Sequence, residues 1–370
     1  MPENHIYIPY VNLGAQWQED REELLPIIDN VLSKGHYVGG PEIDEFEEQI
    51  AKYCQVEFAV ALNSGTDALT MALHLLGVKR GDEVITPPNS FIASTAVIMH
   101  LGAVPVFVDV LADQNMDPDE IEDSITDNTK VIMPVHFSGR VCDMDPIIEI
   151  ANKHGLKVLE DSAQAVGSRY KSKSSGSMGD IGCFSTHPLK NLNACGDGGF
   201  LTTNDENFYS TAKSLRNHGK SDRDRVDSFG YVSRMDNLQA TILNYRLNKL
   251  DNTIEKRRKN AQYYFEHLDS KNVNLPLEKK YEFNTYHTFV IQTYKRNKLK
   301  EFLLTQGIET AIHYPTPIHL QPAAKRLGYK SGDFPVTEKQ AGMMLTLPAN
   351  QSLSKVDLER ISVAINDFFN

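Results

Sequence analysis

The sequence lacks the usual marks of a secreted, membrane-spanning or nucleic-acid-binding protein. Its four cysteines, Cys54, Cys142, Cys183 and Cys195, show no CxxC spacing, so neither a disulfide framework nor a metal site is expected. It contains no run of about 18 uninterrupted apolar residues, the length that spans a bilayer. The stretch MPENHIYIPY has no basic region followed by an apolar run. The net charge of -11 disfavours nucleic-acid and membrane partners. These absences predict a cytoplasmic protein with reduced thiols.

The composition is that of a folded enzyme-sized chain. Its 370 residues are 41% hydrophobic and 24% charged, and they exceed what one small core accommodates. From about residue 56 to 205, short β-branched runs alternate with amphipathic stretches, which predicts an α/β fold with a mostly parallel sheet. Predicted strands are Glu57–Leu62, Glu83–Thr86, Val104–Val108, Lys130–Pro134, Lys157–Glu160, Ile181–Ser185 and Gly199–Thr202, and predicted helices are Thr66–Leu76, Phe91–Leu101, Pro118–Ser124 and Met144–Lys153. Ligand sites are expected at the carboxyl ends of the strands.

A change of pattern further along the chain predicts a second, smaller α+β domain. One long charged helix is predicted over Met235–Leu268 as the connector. Beyond it the pattern predicts a strand near Tyr286–Thr293 and helices over Lys298–Gln306 and Lys355–Phe369. We therefore expect a large domain over residues 1–250 and a small domain over residues 251–370.

Two motifs at predicted strand ends suggest an anion site and a buried carboxylate. Asn63–Leu69 (NSGTDAL) lies where a strand gives way to a helix, so its free N–H groups and small residues suit a phosphate. An ordinary helix cap by Ser64 or Thr66 is the alternative. Glu160–Gln164 (EDSAQ) follows an apolar run, so its carboxylate needs a cationic partner such as a protonated cofactor ring nitrogen. A cap on the next helix is again the alternative.

A lysine on a loop after a predicted strand is the third candidate. Lys190 lies in STHPLKN, which precedes the glycine-rich run GDGG. Most lysines are solvated surface charges, and that alternative stays open from the residues alone. A buried lysine amine, however, loses its proton readily and attacks carbonyls, as Schiff-base chemistry requires.

Taken together and in this order, the motifs resemble those of the DegT/DnrJ/StrS sugar aminotransferases. The resemblance runs from Leu13 to the C-terminus. Its motifs are Gly39-Gly40-Pro41, Asn63–Leu69, Phe91, Pro134-Val135-His136, Glu160–Gln164, Lys190-Asn191, Gly196–Gly199, Arg234-Met235, Gln239-Ala240 and Ile312–Pro315. The resemblance implies the fold type I architecture of pyridoxal-phosphate-dependent transferases and a transamination with glutamate as amino donor.

The resemblance also implies a role for each matching residue. Lys190 would bond covalently to pyridoxal 5'-phosphate and then carry the proton during transfer. Asp161 would pair with the ring nitrogen, Gln164 would lie beside the phenolic oxygen and Phe91 would stack on the ring. The phosphate would be held by Gly65, Thr66 and Ser185. Related sugar 3-dehydratases carry His in place of this Lys, so Lys190 favours amination.

The resemblance implies a homodimer with active sites at the subunit interface, but one expected contact differs. Family members often carry Asn in a Gly-Tyr-Asn-x-Arg-Met segment that reaches the neighbouring subunit's phosphate, whereas this chain has Val232 there. Val232 cannot make that contact. Ser233 or backbone groups are the alternatives, so the cross-subunit ligand stays unassigned.

Candidate substrate residues lie in the run HYPTPIHLQP and further back. His313, Tyr314, His319 and Gln321 are the first set, and Arg216, Asn217 and His218 are the second. Their polar groups suit sugar hydroxyls, although a rigid turn at His313-Tyr314-Pro315 is an equal alternative. The expected substrate is a keto-sugar, either a nucleotide-linked keto-deoxysugar or a free one such as an oxidised 3-deoxy-octulosonate. Either would belong to amino-sugar or surface-polysaccharide synthesis, lipopolysaccharide included.

Two other classes of protein fit the sequence less well. A dinucleotide-binding dehydrogenase needs a glycine fingerprint after its first strand, but the glycine-spaced run Gly176–Gly182 precedes a strand instead. A non-catalytic pyridoxal-phosphate-binding regulator would share the fold. The presence of Lys190 and Asp161 and the lack of a basic DNA-binding arm argue against it.

Overall fold

The structure, a computed structural model, describes residues 7–370. Two helices come first, α1 (Leu13–Lys34) and α2 (Pro41–Cys54), in a stretch that had no predicted element. Asn12 caps α1 by accepting a hydrogen bond from the Ala15 N–H (2.9 Å). Gly35 ends α1 with left-handed backbone (φ 68°), a conformation that glycine adopts at little cost.

A seven-stranded sheet forms the centre of the larger part of the chain. In chain order the strands are β1 (Phe58–Leu62), β2 (Glu83–Thr86), β3 (Val104–Phe107), β4 (Thr129–Ile132), β5 (Lys157–Asp161), β6 (Arg169–Tyr170), β7 (Lys173–Ser174), β8 (Ile181–Ser185) and β9 (Gly199–Thr203). Short β6 and β7 belong to a separate sheet, and the other seven pair in the order β1-β9-β8-β5-β4-β2-β3. Six strands of this sheet are parallel to one another, and β9 is antiparallel to them. The predicted α/β fold with a mostly parallel sheet is confirmed.

Helices cover both faces of the sheet because successive side chains of each strand point to opposite faces. After α2 the helices are α3 (Gly65–Leu75), α4 (Ala93–His100), α5 (Met144–His154) and α6 (Glu206–Leu215). In β1, Val60 and Leu62 pack in one buried cluster with α3 and α6, whereas Ala59 and Ala61 pack in another with α2. The chain thereby buries its sheet and leaves the strand ends open to ligands.

The predicted strands all overlap observed ones, but two helix predictions were wrong. Pro118–Ser124 forms two short 3₁₀ turns, because the Asp117 side chain accepts the Asp119 N–H (3.0 Å) and holds the first turn tight. The single connector Met235–Leu268 is two helices, α7 (Asn237–Leu247) and α8 (Leu250–His267). Asn248 ends α7, and its side chain donates to the Asn244 carbonyl (3.1 Å). A continuous charged pattern does not reveal such a local break.

The rest of the chain builds a second core. It comprises β10 (Glu282–Phe283), β11 (Phe289–Gln292), α9 (Arg296–Thr305), α10 (Pro335–Met343), β12 (Met344–Leu347) and α11 (Lys355–Phe369). β10 joins β6 and β7, and β11 pairs with β12. The buried cluster of this region includes Ile8 from the start of the chain as well as Tyr264 of α8 and Ile361 of α11. A domain boundary near residue 250 stays a prediction. Over residues 7–370, no helix is both long and apolar enough to cross a membrane.

Candidate active site

A cavity of about 430 Å³ lies at the carboxyl edge of the sheet, where ligand sites were expected. Strands β1, β5 and β8 bring their ends to it, and α8 and the second core form its other wall. Nine of the predicted site residues line it: Gly65, Thr66, Phe91, Asp161, Gln164, Ser185, Lys190, His313 and Tyr314. The fold therefore brings together motifs that are far apart in the sequence.

The N-terminus of α3 forms an anion-binding edge of this cavity. Ser64 caps the helix by accepting the Asp67 N–H (3.1 Å), so the cap anticipated as an alternative is present at the same place. A Cβ added at Gly65 would lie 2.7 Å from the Ser185 Cβ, so only glycine allows the helix to start this close to β8. Free N–H groups and the helix dipole favour a phosphate here.

A buried carboxylate stands at the end of β5. Asp161 is only 4% exposed. One of its oxygens accepts the Ser94 hydroxyl (2.7 Å) and the other accepts the Ala163 N–H (3.2 Å). Burial raises the pKa of Asp161, and these hydrogen bonds together with nearby Lys190 only partly offset that effect. A cationic ligand atom next to Asp161 would therefore be strongly stabilised.

Lys190 faces the same cavity from the loop after β8. Its N–H donates to the His187 carbonyl (2.8 Å), which closes a turn and fixes the backbone. Burial lowers the pKa of Lys190 from its ordinary value of 10.5 to about 8, while the charge of Asp161 opposes the change. Near neutral pH a far larger share of this amine is therefore neutral and nucleophilic than of an ordinary lysine.

Two histidines on the cavity wall are neutral at physiological pH. Burial, followed by the charge of Lys190, lowers the pKa of His313 to about 4. The same two causes, and then Arg257, lower the pKa of His287 well below its ordinary range. These rings can exchange hydrogen bonds with a polar substrate without adding charge to the site.

Aromatic and amide side chains complete the walls. Phe91 is 56% exposed, and its ring lies 6.2 Å from that of Tyr314. Gln164 accepts the Ser138 N–H (3.0 Å) through Oε1. An exposed aromatic face at a cavity mouth is suited to a flat ring or a sugar.

Several predicted substrate residues lie outside the cavity. His319 is buried against Phe334 and bonds Glu338 (3.1 Å). Gln321 donates to the Thr316 carbonyl (3.1 Å). Arg216 pairs with Glu47 and donates to the Ala61 carbonyl. Each of these contacts ties its residue to a neighbour in the same chain, and a role in substrate binding stays a prediction.

The structure also describes the segment Gly230–Met235, in which this chain has Val232 where family members often carry Asn. Val232 is 60% exposed, so a partner could cover it. Ser233, offered as a substitute ligand, is 3% exposed and donates to Asp67 of its own subunit (2.7 Å). Ser233 is thus already committed within its own chain.

Some residues on the walls of the site carry no specific signal in the sequence. Ser94, whose hydroxyl donates to Asp161, lies in the first turn of α4, where no sequence motif marks it. Arg257 belongs to the charged run KRRK of α8, and nothing in that run shows which of its side chains faces the cavity. Tyr10 and Asn350 reach the cavity from opposite ends of the chain.

The fold and the cavity are those of an aminotransferase. DesV of S. venezuelae, solved with a ketimine intermediate, has a TM-score of 0.95 and 36% identity to this chain, with 98% of each chain covered. NtdA of Bacillus subtilis, solved with bound cofactor PMP, has a TM-score of 0.88 and 32% identity and covers 94% of this chain and 82% of its own.

The family is equally plain from the sequence comparison. The profile of the DegT/DnrJ/EryC1/StrS aminotransferase family matches residues 18–366, and the chain belongs to that family. A "Pleiotropic regulatory protein" of Geobacillus stearothermophilus is 37% identical, with 98% of both chains covered. A dTDP-3-amino-3,4,6-trideoxy-alpha-D-glucose transaminase of Streptomyces venezuelae is also 37% identical, over 98% of this chain and 96% of its own.

Proposed function

We propose that this protein transfers the amino group of glutamate to a nucleotide-linked keto-sugar, with pyridoxal phosphate as cofactor. One observation carries the proposal: a lysine with a lowered pKa, a buried carboxylate and a helix N-terminus all face one cavity. These are the three groups needed to hold an aldehyde, a ring nitrogen and a phosphate at the same time.

The residues present fit the cofactor at each of its polar ends. The α3 N-terminus at Gly65 and Thr66, with Ser185 beside it, would hold the phosphate. Asp161 would pair with the protonated ring nitrogen, because a buried carboxylate is stabilised by a cationic partner. Phe91 would cover the ring face, and Gln164 would lie by the phenolic oxygen. When bound, pyridoxal phosphate supplies an electron sink that makes the amino donor's α-proton removable.

The chain's own residues then do two kinds of work. Lys190 carries a proton on Nζ between the substrate carbon and the cofactor, because a pKa of about 8 lets it both accept and return that proton. His313 and Tyr314 line the side where a sugar would enter, and His313 offers a neutral ring to hydroxyl groups.

A nucleotide-linked keto-sugar is the favoured acceptor because a close relative is named for a dTDP-linked amino-sugar product. A free keto-sugar acid, such as an oxidised 3-deoxy-octulosonate, is the alternative acceptor. The product would serve amino-sugar or surface-polysaccharide synthesis. We also propose a homodimer, since Tyr37, Val38, Phe229 and Val232 are large apolar side chains that stand exposed on the single chain.

Absorbance spectroscopy tests the function directly. We expect the purified protein to bind pyridoxal phosphate with a visible band, and glutamate alone to convert that band to the shorter-wavelength pyridoxamine form. The conversion would establish the first half-reaction. A visible band that ignores glutamate and other amino donors would favour the regulatory class suggested by one relative's name. Absence of any band would contradict the cofactor assignment.

The lowered pKa of Lys190 predicts how cofactor uptake depends on pH. Only the neutral amine attacks a carbonyl, so the uptake rate should rise as pH passes through about 8 and level off above it. Stopped-flow mixing of apoprotein with pyridoxal phosphate from about pH 6.5 to 10 measures this. Nα-acetyl-lysine in place of the protein reports the reagent's own pH dependence. A rate that rises as late as that of free lysine would contradict the lowered pKa.

A further inference from the structure

One cation on the wall of the cavity has no carboxylate partner within residues 7–370. Arg257 of α8 is 6% exposed and lines the cavity. Its Nη1 donates to the carbonyls of Tyr286 (3.3 Å) and His287 (3.1 Å). Its Nε is buried without a hydrogen-bond partner, and no carboxylate of residues 7–370 forms an ion pair with it. By contrast, the buried guanidinium of Arg246 pairs with Asp20 (3.3 Å).

A buried charge left unpaired is costly, so the position calls for an anion. Burial lowers the pKa of Arg257 to about 10, which still leaves the guanidinium charged at neutral pH. Nη1 is occupied by the two carbonyls, but Nε and Nη2 form the other edge of the guanidinium. Such an edge binds a carboxylate through two parallel hydrogen bonds.

The position of Arg257 separates it from the phosphate site. The phosphate edge is built by α3 and β8 of the large sheet. Arg257 belongs instead to α8, one helical turn before Ala261 of the second core, and its charge acts on Tyr10. The phosphate of the cofactor therefore does not account for Arg257.

Arg257 and Lys190 nevertheless face the same cavity. The imidazole of His287 lies near enough to both Lys190 and Arg257 for each charge to act on it. His287 and His313 are themselves uncharged at neutral pH. Arg257 is therefore a permanent positive charge that α8 contributes to the cavity of Lys190.

We infer that Arg257 binds the α-carboxylate of the amino donor. An α-amino acid carries this carboxylate on the carbon whose amine reacts, so a fixed cation in the cavity of Lys190 would orient that carbon. The inference rests on the proposed transamination. The same residue would bind the carboxylate of the departing keto acid, which differs only in the neighbouring carbon.

The test compares amino donors that differ only in the α-carboxylate. Spectral titration of the cofactor-loaded protein gives the half-saturating concentrations of glutamate and of isoglutamine, its α-amide. We expect Arg257→Gln to raise the value for glutamate about 10- to 150-fold, the range for a hydrogen bond to a charged group, and to leave isoglutamine almost unchanged. Arg257→Lys, which keeps the charge without the fork, should lie between Arg257→Gln and wild type. Lys256→Gln, one residue away and solvent-facing, is the matched control and should behave as wild type.

Binding without turnover provides a second measurement. Glutarate has the carboxylates but no amine, and its affinity for the loaded protein can be followed by calorimetry. We expect Arg257→Gln to weaken glutarate and to leave pyridoxal phosphate affinity and the thermal midpoint as in Lys256→Gln. Equal glutarate binding in wild type and Arg257→Gln would overturn the inference. Loss of dTDP binding with glutarate binding unchanged, or equal weakening of glutamate and isoglutamine, would also overturn it. Loss of cofactor affinity in both Arg257 variants would show a merely structural role.

The inference and the function can fail separately. If glutamate leaves the wild-type spectrum unchanged, transamination fails as a function whatever Arg257 does. If glutamate converts the wild-type spectrum and Arg257→Gln does so at the same concentrations, only the role of Arg257 is lost.

Discussion

Lys190→Ala should lose amino transfer almost completely. The substitution removes both the amine that anchors the cofactor and the proton carrier, and a positioned acid–base group alone contributes up to about 10⁴-fold. The phosphate edge at Gly65 and the carboxylate of Asp161 remain, so the variant should still bind pyridoxal phosphate, but without a covalent bond. Single-turnover absorbance with glutamate measures the rate.

Reduction with borohydride separates the chemical role of Lys190 from a folding defect. In the wild type, borohydride should fix the cofactor to the peptide that contains Lys190, and mass spectrometry identifies the modified residue. Lys190→Ala should show no fixed cofactor, whereas Lys300→Ala, which alters an exposed lysine on α9, should match the wild type. Modification of another lysine in the wild type, or ordinary turnover in Lys190→Ala, would refute the assignment.

The fold was largely predictable because its signals are local. Strands such as Glu83–Thr86 and Ile181–Ser185 are short apolar runs, and both were predicted with their observed bounds. The break at Asn248 was missed, since the polar pattern on either side continues through it. Helix α2 is likewise set partly by the sheet that it covers, and α1 is set partly by α7, against which it packs.

The site was less predictable, because contacts between distant segments decide which polar residues face the cavity. Asp161 ends β5 and Lys190 lies on the loop after β8, and both were found from their motifs. His319 has the same chemistry as His313 and lies in the same run, yet Glu338 of α10 turns it into a structural partner. Arg257 was missed for the opposite reason. Only the folded structure shows which arginine of KRRK lines the cavity.

Asp161→Asn should retain the cofactor but slow the half-reaction with glutamate by about 10²- to 10³-fold, the usual cost of losing one preorganised electrostatic contact. A neutral amide cannot hold the ring nitrogen protonated, which the buried carboxylate of Asp161 is placed to do. The change keeps size and shape, so cofactor affinity should fall far less than the rate. Single-turnover absorbance and a cofactor titration on the same protein measure the two quantities.

Ser94→Ala is the graded control for Asp161→Asn. It removes one hydrogen bond (2.7 Å) that holds the pKa of Asp161 down, but it leaves the carboxylate in place. The pKa of Asp161 in the apoprotein should therefore rise further, and the rate should fall by about tenfold, the lower end of the range for a hydrogen bond to a charged group. If the loss in Ser94→Ala equals that in Asp161→Asn, geometry rather than charge is the main contribution of Asp161. If Asp161→Asn keeps the wild-type rate, Asp161 has no part in the electronics of the reaction and its burial serves the fold alone.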